Sequence, residues 1–254
     1  MNSIVSTSAR ANTSRAASLA RRGAQVLLAT CAAFLFAFPG LSDAREGADP
    51  GINRPYLDPD FAQWVERFES PGREVYDRRM AILSATGVKP GMRIADIGAG
   101  TGLFTLLFAR AVGPAGVVHA VDISPTFAAN IQRRAQSERL ANVTTVVNSQ
   151  TDVRLAPTSI DLAFVCDTYH HFEEPAPMLA SIRRALRPNG TLIVVDYERI
   201  EGRSSGWVLG HVRAGKAGVI REIEAAGFHL AADEKLLTEN FVLRFVRLAS
   251  DEQR

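Results

Sequence analysis

The chain has 254 residues, 29 of them basic and 27 acidic, with 46% hydrophobic and 22% charged residues. That is the composition of a globular protein with one sizeable core, and it excludes a disordered, charge-rich chain. Two cysteines exclude a disulfide scaffold and a multi-cysteine zinc module.

The net charge of +2 belongs to the first 44 residues, which hold Arg10, Arg15, Arg21 and Arg22 against a single acid, Asp43. The remainder carries 25 basic and 26 acidic residues, so no nucleic-acid partner is expected. After the cationic start, residues 24–41 are almost wholly apolar, and Ser42 and Ala44 fit the small-residue positions of a signal-peptidase site. The expectation is a leader over 1–44 that directs export to the periplasm or the medium. The apolar run is about 18 residues, the short edge of what spans a bilayer, so an uncleaved anchor is the alternative. Membrane contact is expected through this segment alone. Arg21-Arg22 lacks the flanks of a twin-arginine signal. Leu28-Ala29-Thr30-Cys31 fails as a lipoprotein box, because Thr30 is too large and apolar residues continue beyond Cys31. An Arg- and Ser-rich mitochondrial presequence is a third reading.

Residues 45–58 are rich in Gly, Pro and Asp and read as a linker or arm. Helical patterns follow over 59–69 and 72–86, which divides the body into an arm with a helix (45–71) and a main domain (72–254). Strands are expected at 92–97, 116–121, 143–147, 162–166 and 191–195. Helices are expected between them at 102–112, 125–138 and 174–187. Ser124-Pro125 opens one helix, and Pro188-Asn189-Gly190 closes another. The strands are short, continuous and rich in Val, Ile, Leu and Ala, as strands buried on both faces are, and intervening helices imply right-handed crossovers in a parallel sheet. A helix near 216–226 precedes runs at 228–237 and 241–248, which read as an antiparallel pair closing the sheet edge. The fold class is therefore α/β, doubly wound and mostly parallel, with an antiparallel last strand.

The most informative segment is Asp96-Ile97-Gly98-Ala99-Gly100-Thr101-Gly102, at a strand-to-helix junction where open α/β sheets hold ligands. Glycines there let a ligand approach the backbone. A dinucleotide site asks for a third glycine at 103, where Leu103 stands. The carboxylate of Asp96 would oppose a pyrophosphate and suits a ligand with a cationic amine. Asp122, ending the second strand, is placed to accept hydrogen bonds from both hydroxyls of a ribose.

IADIGAGTG, AVDIS, DTYHHF and NGTLIVVDY, in that order, resemble the motifs of class I S-adenosylmethionine-dependent methyltransferases, in the small-molecule branch that includes quinone-biosynthesis C-methyltransferases. The resemblance covers roughly 72–248 and implies a seven-stranded sheet of order 3-2-1-4-5-7-6. It implies S-adenosylmethionine as cofactor and a small-molecule substrate. Gly98, Gly100 and Gly102 would line the methionine part, and Asp96 would contact its amino group. Asp122 would hold the ribose, Ile123 would pack on adenine, and Asp152 would accept from the adenine N6 amine.

The loop from Asp167 to Phe172 leaves the fourth strand beside the expected methyl group. Asp167, His170 and His171 are its acid–base candidates; a structural histidine bonding backbone across the loop is the competing reading. Tyr169 and Phe172 flank the site or fill the core. Asp167 and Asp196 would be the carboxylates of a metal-dependent enzyme, but Tyr197 and Glu198 stand where a further Asp or Asn ligand is needed, so no metal is expected. Arg73 or Tyr76, on a helix that would cap the cofactor, are candidates for its carboxylate. Residues 206–216, with His211, Arg213 and Lys216, form a lid candidate. The rival readings are an NAD-dependent oxidoreductase and an exported protein that binds S-adenosylmethionine without turnover.

Overall fold

The computed structural model describes residues 47–248; the expected leader over 1–44 lies outside them. Seven strands form one sheet: β1 (Arg93–Ile97), β2 (Val117–Asp122), β3 (Val143–Val147), β4 (Ile160–Cys166), β5 (Leu186–Tyr197), β6 (Phe228–Glu234) and β7 (Asn240–Arg247). Their order is β3-β2-β1-β4-β5-β7-β6, as the motifs imply. The first five strands run parallel, and β7 is antiparallel to both neighbours.

Alternation along the strands divides the core between two faces. Ala95, Ala163, Val165, Leu192 and Val194 point to one side, where they meet Met178, Leu179 and Ile182 of α7 (Pro175–Ala185) and Val219 and Ile223 of α9 (Lys216–Ala225). Ile94, Leu162, Phe164, Ile193 and Val195 point to the other. There they meet α4 (Arg79–Ala85), α5 (Leu103–Val112) and α6 (Pro125–Ser137) through Ile82, Phe108 and Ile131. Sheets covered on both faces need the continuous apolar strands seen here. Ser124 caps α6, its Oγ accepting from the Phe127 N–H at 3.2 Å.

Three expectations need adjustment. The helix expected over 72–86 is two, α3 (Glu74–Asp77) and α4, divided at Arg78, whose ψ of 7° leaves the helical region. The helix expected to end at 187 ends at Ala185. Pro188-Asn189-Gly190 then falls within β5 as an irregularity, because Ile160 pairs with Leu186 while Leu162 already pairs with Thr191. The Gly- and Pro-rich arm contains a short helix, α1 (Arg54–Leu57), followed by α2 (Phe61–Phe68). The arm is packed on the body, with the Ala48 N–H donating to the Phe172 carbonyl at 3.0 Å. Among the described residues, no helix is long and apolar enough to cross a membrane.

Candidate active site

The carboxyl ends of β1, β2 and β4 open into a cavity of about 630 Å³, where a doubly wound sheet holds its ligand. After β1 the chain turns through Gly98, Gly100 and Gly102, all at positive φ. Gly98 is sterically obligatory: a Cβ there would lie 2.2 Å from Cγ2 of Thr168. Gly102 opens α5 in the left-handed conformation that glycine tolerates, but it faces buried Ile131 and does not line the cavity, which corrects its expected place beside the methionine part.

Two buried acids flank this turn. Asp96 is 3% exposed and accepts from Thr105 Oγ1 at 2.6 Å. Burial raises its pKa to about 7; the Thr105 bond opposes that shift and the Asp122 charge reinforces it. Asp122 accepts the Ser124 N–H on Oδ1 and the Gly100 N–H on Oδ2, both at 2.8 Å. Burial raises its pKa to about 6 against those bonds. Both acids line the cavity with Gly98, Gly100 and Ile123.

Asp152 does not join them, which corrects the expected adenine contact. Its side chain is 41% exposed, paired with Arg184 Nη2 at 2.8 Å, and it accepts the Arg154 N–H at 2.7 Å. The short loop turns here so that the neighbouring Val153 enters the core, which carries Asp152 outward. Asn148, one residue beyond β3, lines the cavity instead, and its Oδ1 is buried with no hydrogen-bond partner. Sequence reasoning passed over Asn148, although its place at a strand end was a usable signal.

On the opposite wall, Asp167 stands at a φ of 47°. It is ion-paired with Arg73 and accepts from Asn240 Nδ2 at 2.6 Å. Burial raises its pKa against the pull of Arg73. His170 is 3% exposed; its Nδ1 lies 2.7 Å from Asp196 Oδ1, and its backbone N–H donates to Oδ2 at 3.0 Å. Burial disfavours its protonated form, but Asp196 outweighs this and raises the pKa. His171 has no such partner. Burial, with His170 and His211 beside it, pushes its pKa down to about 2. Its Nε2 is 3.4 Å from Nε2 of His211, the last residue of α8 (Gly206–His211).

The arm roofs this end of the cavity. Asn53 Nδ2 donates to the His171 carbonyl and to Glu173 Oε1, both at 3.0 Å. Tyr56 meets the His171 ring edge-on, with centroids 4.9 Å apart, and Arg73 lies 5.0 Å over the Phe68 ring. The linker-like composition of the arm concealed these contacts.

Several candidates lie elsewhere. Tyr169 is core, its hydroxyl donating to Glu222 at 2.7 Å, whereas Phe172 lines the cavity. Arg213 also binds Glu222, and Lys216 binds Glu198 at 2.6 Å, so neither supports the lid reading of an anion-binding segment. Tyr76 lies under the Arg79 guanidinium and outside the cavity, leaving Arg73 as the helix's contribution.

Residues 95–194 match a family model described as a methyltransferase domain. The chain is 33% identical over 132 residues to an uncharacterized 37.1 kDa protein in transposon TN4556 of Streptomyces fradiae, covering 48% of this chain and 38% of that one. It is 29% identical over 126 residues to a ubiquinone/menaquinone biosynthesis C-methyltransferase of Cupriavidus taiwanensis, covering 48% and 50%. The chain thus spans half or less of the length of these curated relatives. An S-adenosylmethionine-dependent methyltransferase from Aquifex aeolicus has the same fold, with a TM-score of 0.67 at 23% identity over 75% of this chain and all of that one. Residues 95–194 thus carry a methyltransferase domain, and the fold is the one seen in the Aquifex aeolicus S-adenosylmethionine-dependent methyltransferase.

Proposed function

We propose that the chain is an enzyme that transfers a methyl group from S-adenosylmethionine to a small-molecule acceptor. The observation that carries this reading is one cavity with a glycine turn and two buried acids on one wall and oriented imidazoles on the other. The residues present fit the cofactor, because Asn148 Oδ1 is a buried acceptor still lacking a donor. Asp96 would take the amino group, Asp122 the ribose hydroxyls and Asn148 the adenine amine, while Ile123 packs on the base. A sulfonium methyl supplies the reactivity when the cofactor is bound.

The chain's own part is alignment, exclusion of water and, for acceptors that carry one, removal of a proton. The arm closes the cavity over the His171 backbone. His170 is the best-oriented proton acceptor: with Nδ1–H on Asp196, Nε2 keeps its lone pair for a phenol, enol or amine. Asp167 is already committed to Arg73 and Asn240 and acts as an anchor for that wall. Leu103 and the two acids disfavour a dinucleotide. Calorimetry should give binding of S-adenosylmethionine and none of NAD. Methyl-labelled cofactor incubated with a small-molecule extract should give a labelled product, whereas binding without transfer would favour the non-catalytic alternative.

The sequence of residues 1–44 supports export with cleavage after Ala44. N-terminal sequencing of the mature protein should then begin at Arg45, and an intact start in the membrane fraction would make the segment an anchor.

A further inference from the structure

His170, His171 and His211 each contribute one ring nitrogen to a group whose members all lie within 4.8 Å of one another. The first two sit in the turn after β4, and the third ends α8. Nε2 of His171 and Nε2 of His211 are 3.4 Å apart. Two nitrogens bound to one tetrahedral ion at ordinary zinc–nitrogen distances stand about 3.3 Å apart. The widest pair of the group exceeds that spacing by at most about 1.5 Å.

The surroundings of the rings favour a ligand role. His170 directs Nδ1 to the Asp196 carboxylate, and metal-bound imidazoles use their second nitrogen in this way, which fixes the tautomer and leaves Nε2 for the ion. Trp207 stacks on His211 at 4.6 Å and Tyr56 abuts His171, holding both rings in place. The sequence-based expectation of no metal weighed only Asp167 and Asp196. Those carboxylates are engaged by Arg73 and His170, and the convergence of three imidazoles from two separate elements was not legible.

We propose that His170, His171 and His211 form a binding site for one divalent first-row transition ion, such as Zn²⁺, at the acceptor end of the cavity. Three imidazoles, with no carboxylate among the ligands, select such an ion over Mg²⁺ or Ca²⁺. Three protein ligands leave a fourth position, and since His170 and His171 line the cavity, an acceptor oxygen can occupy it. An ion there would lower the pKa of that oxygen, so that its proton passes to solvent water before methyl transfer and His170, then a ligand, is not needed as the base. The site itself does not depend on methyl transfer.

The test uses full-length protein without a polyhistidine tag, stripped with a chelator and titrated with Zn²⁺ by calorimetry and with Co²⁺ by visible absorption. No S-adenosylmethionine is present, so the metal reading and the methyl-transfer reading fail separately. One ion per chain is expected, with the absorption of a four-coordinate site. His211→Ala should weaken binding at least about tenfold while keeping its melting temperature, because this side chain sits on a surface helix. His229→Ala, at a site 69% exposed, should bind as the wild type does. Absence of binding by the wild type, or equal affinity in the wild type and His211→Ala, would overturn the proposal. If His211→Ala proves unstable, His211→Gln serves in its place under the same criteria.

Discussion

Oδ2 of Asp122 accepts the backbone N–H of Gly100 at 2.8 Å, so the acid that ends β2 and the turn that follows β1 are one mechanical unit. Asp122→Ala therefore removes a strut of the glycine turn together with the proposed ribose contact. Loss of a charge-assisted hydrogen bond costs about 1.5–3 kcal/mol, so affinity for S-adenosylmethionine should fall roughly 10- to 150-fold by calorimetry. Unchanged affinity would remove Asp122 from the cofactor site.

Burial of Asp96 has a pH signature. Its folded-state pKa of about 7 lies above that of an unfolded carboxyl, so the folded chain binds more protons between roughly pH 4 and 7. The stability of the free protein should fall as pH rises through that window. A bound ammonium favours the carboxylate, so cofactor affinity should change in the opposite sense, rising up to about pH 7 and then levelling. Melting curves with and without cofactor between pH 5.5 and pH 8, on an experimental scale chosen around that value of about 7, check both signs. Asp96→Asn should flatten the affinity profile.

Asn148 and Asp152 separate two readings of the adenine end. Asn148→Ala removes a buried neutral acceptor and should weaken cofactor binding about 2- to 13-fold. Asp152→Ala should leave binding unchanged, since its carboxylate faces Arg184 on the surface. The reverse order of effects would restore Asp152 to the site.

His170 and Asp167 should separate in the same way on the acceptor side. Removing a general base lowers turnover by about 10²–10⁴. With a proton-bearing acceptor, His170→Gln should lose that much kcat while cofactor affinity stays near wild type. Asp167→Asn leaves Arg73 without its carboxylate and should lower Tm. Full turnover in His170→Gln would mean that catalysis proceeds by alignment alone.

The parts of this site that could be read in the sequence are those that are local along the chain. Asp96, Gly98, Gly100 and Asp122 sit at or just beyond strand ends that hydropathy delimits, so their type and position were enough to bring them to one cavity. Asp152 misled because one turn of a short loop reverses which residue faces inward: Val153 enters and Asp152 leaves. His211 was visible as a residue but not as a neighbour of His171, because that contact spans 40 positions and depends on where α8 settles. The arm escaped because Gly, Pro and Asp are equally at home in a linker and in short capped helices, and only tertiary contacts such as that of Asn53 with the His171 carbonyl distinguish them.

The contact between Gly98 and Thr168 sets a limit on redesign. The glycine turn and the acceptor loop meet there without room for one added methyl, the nearest atom being 2.2 Å from where it would stand. Enlarging the acceptor pocket through residue 168 would therefore disturb the opposite, cofactor-facing wall. Substitutions that broaden the range of acceptors belong at Tyr56 or Trp207, whose side chains line the cavity from elements outside the central sheet, and not at Phe68, whose ring packs against Gly100 of the glycine turn. A library confined to those two positions should change substrate preference while S-adenosylmethionine affinity remains that of the parent.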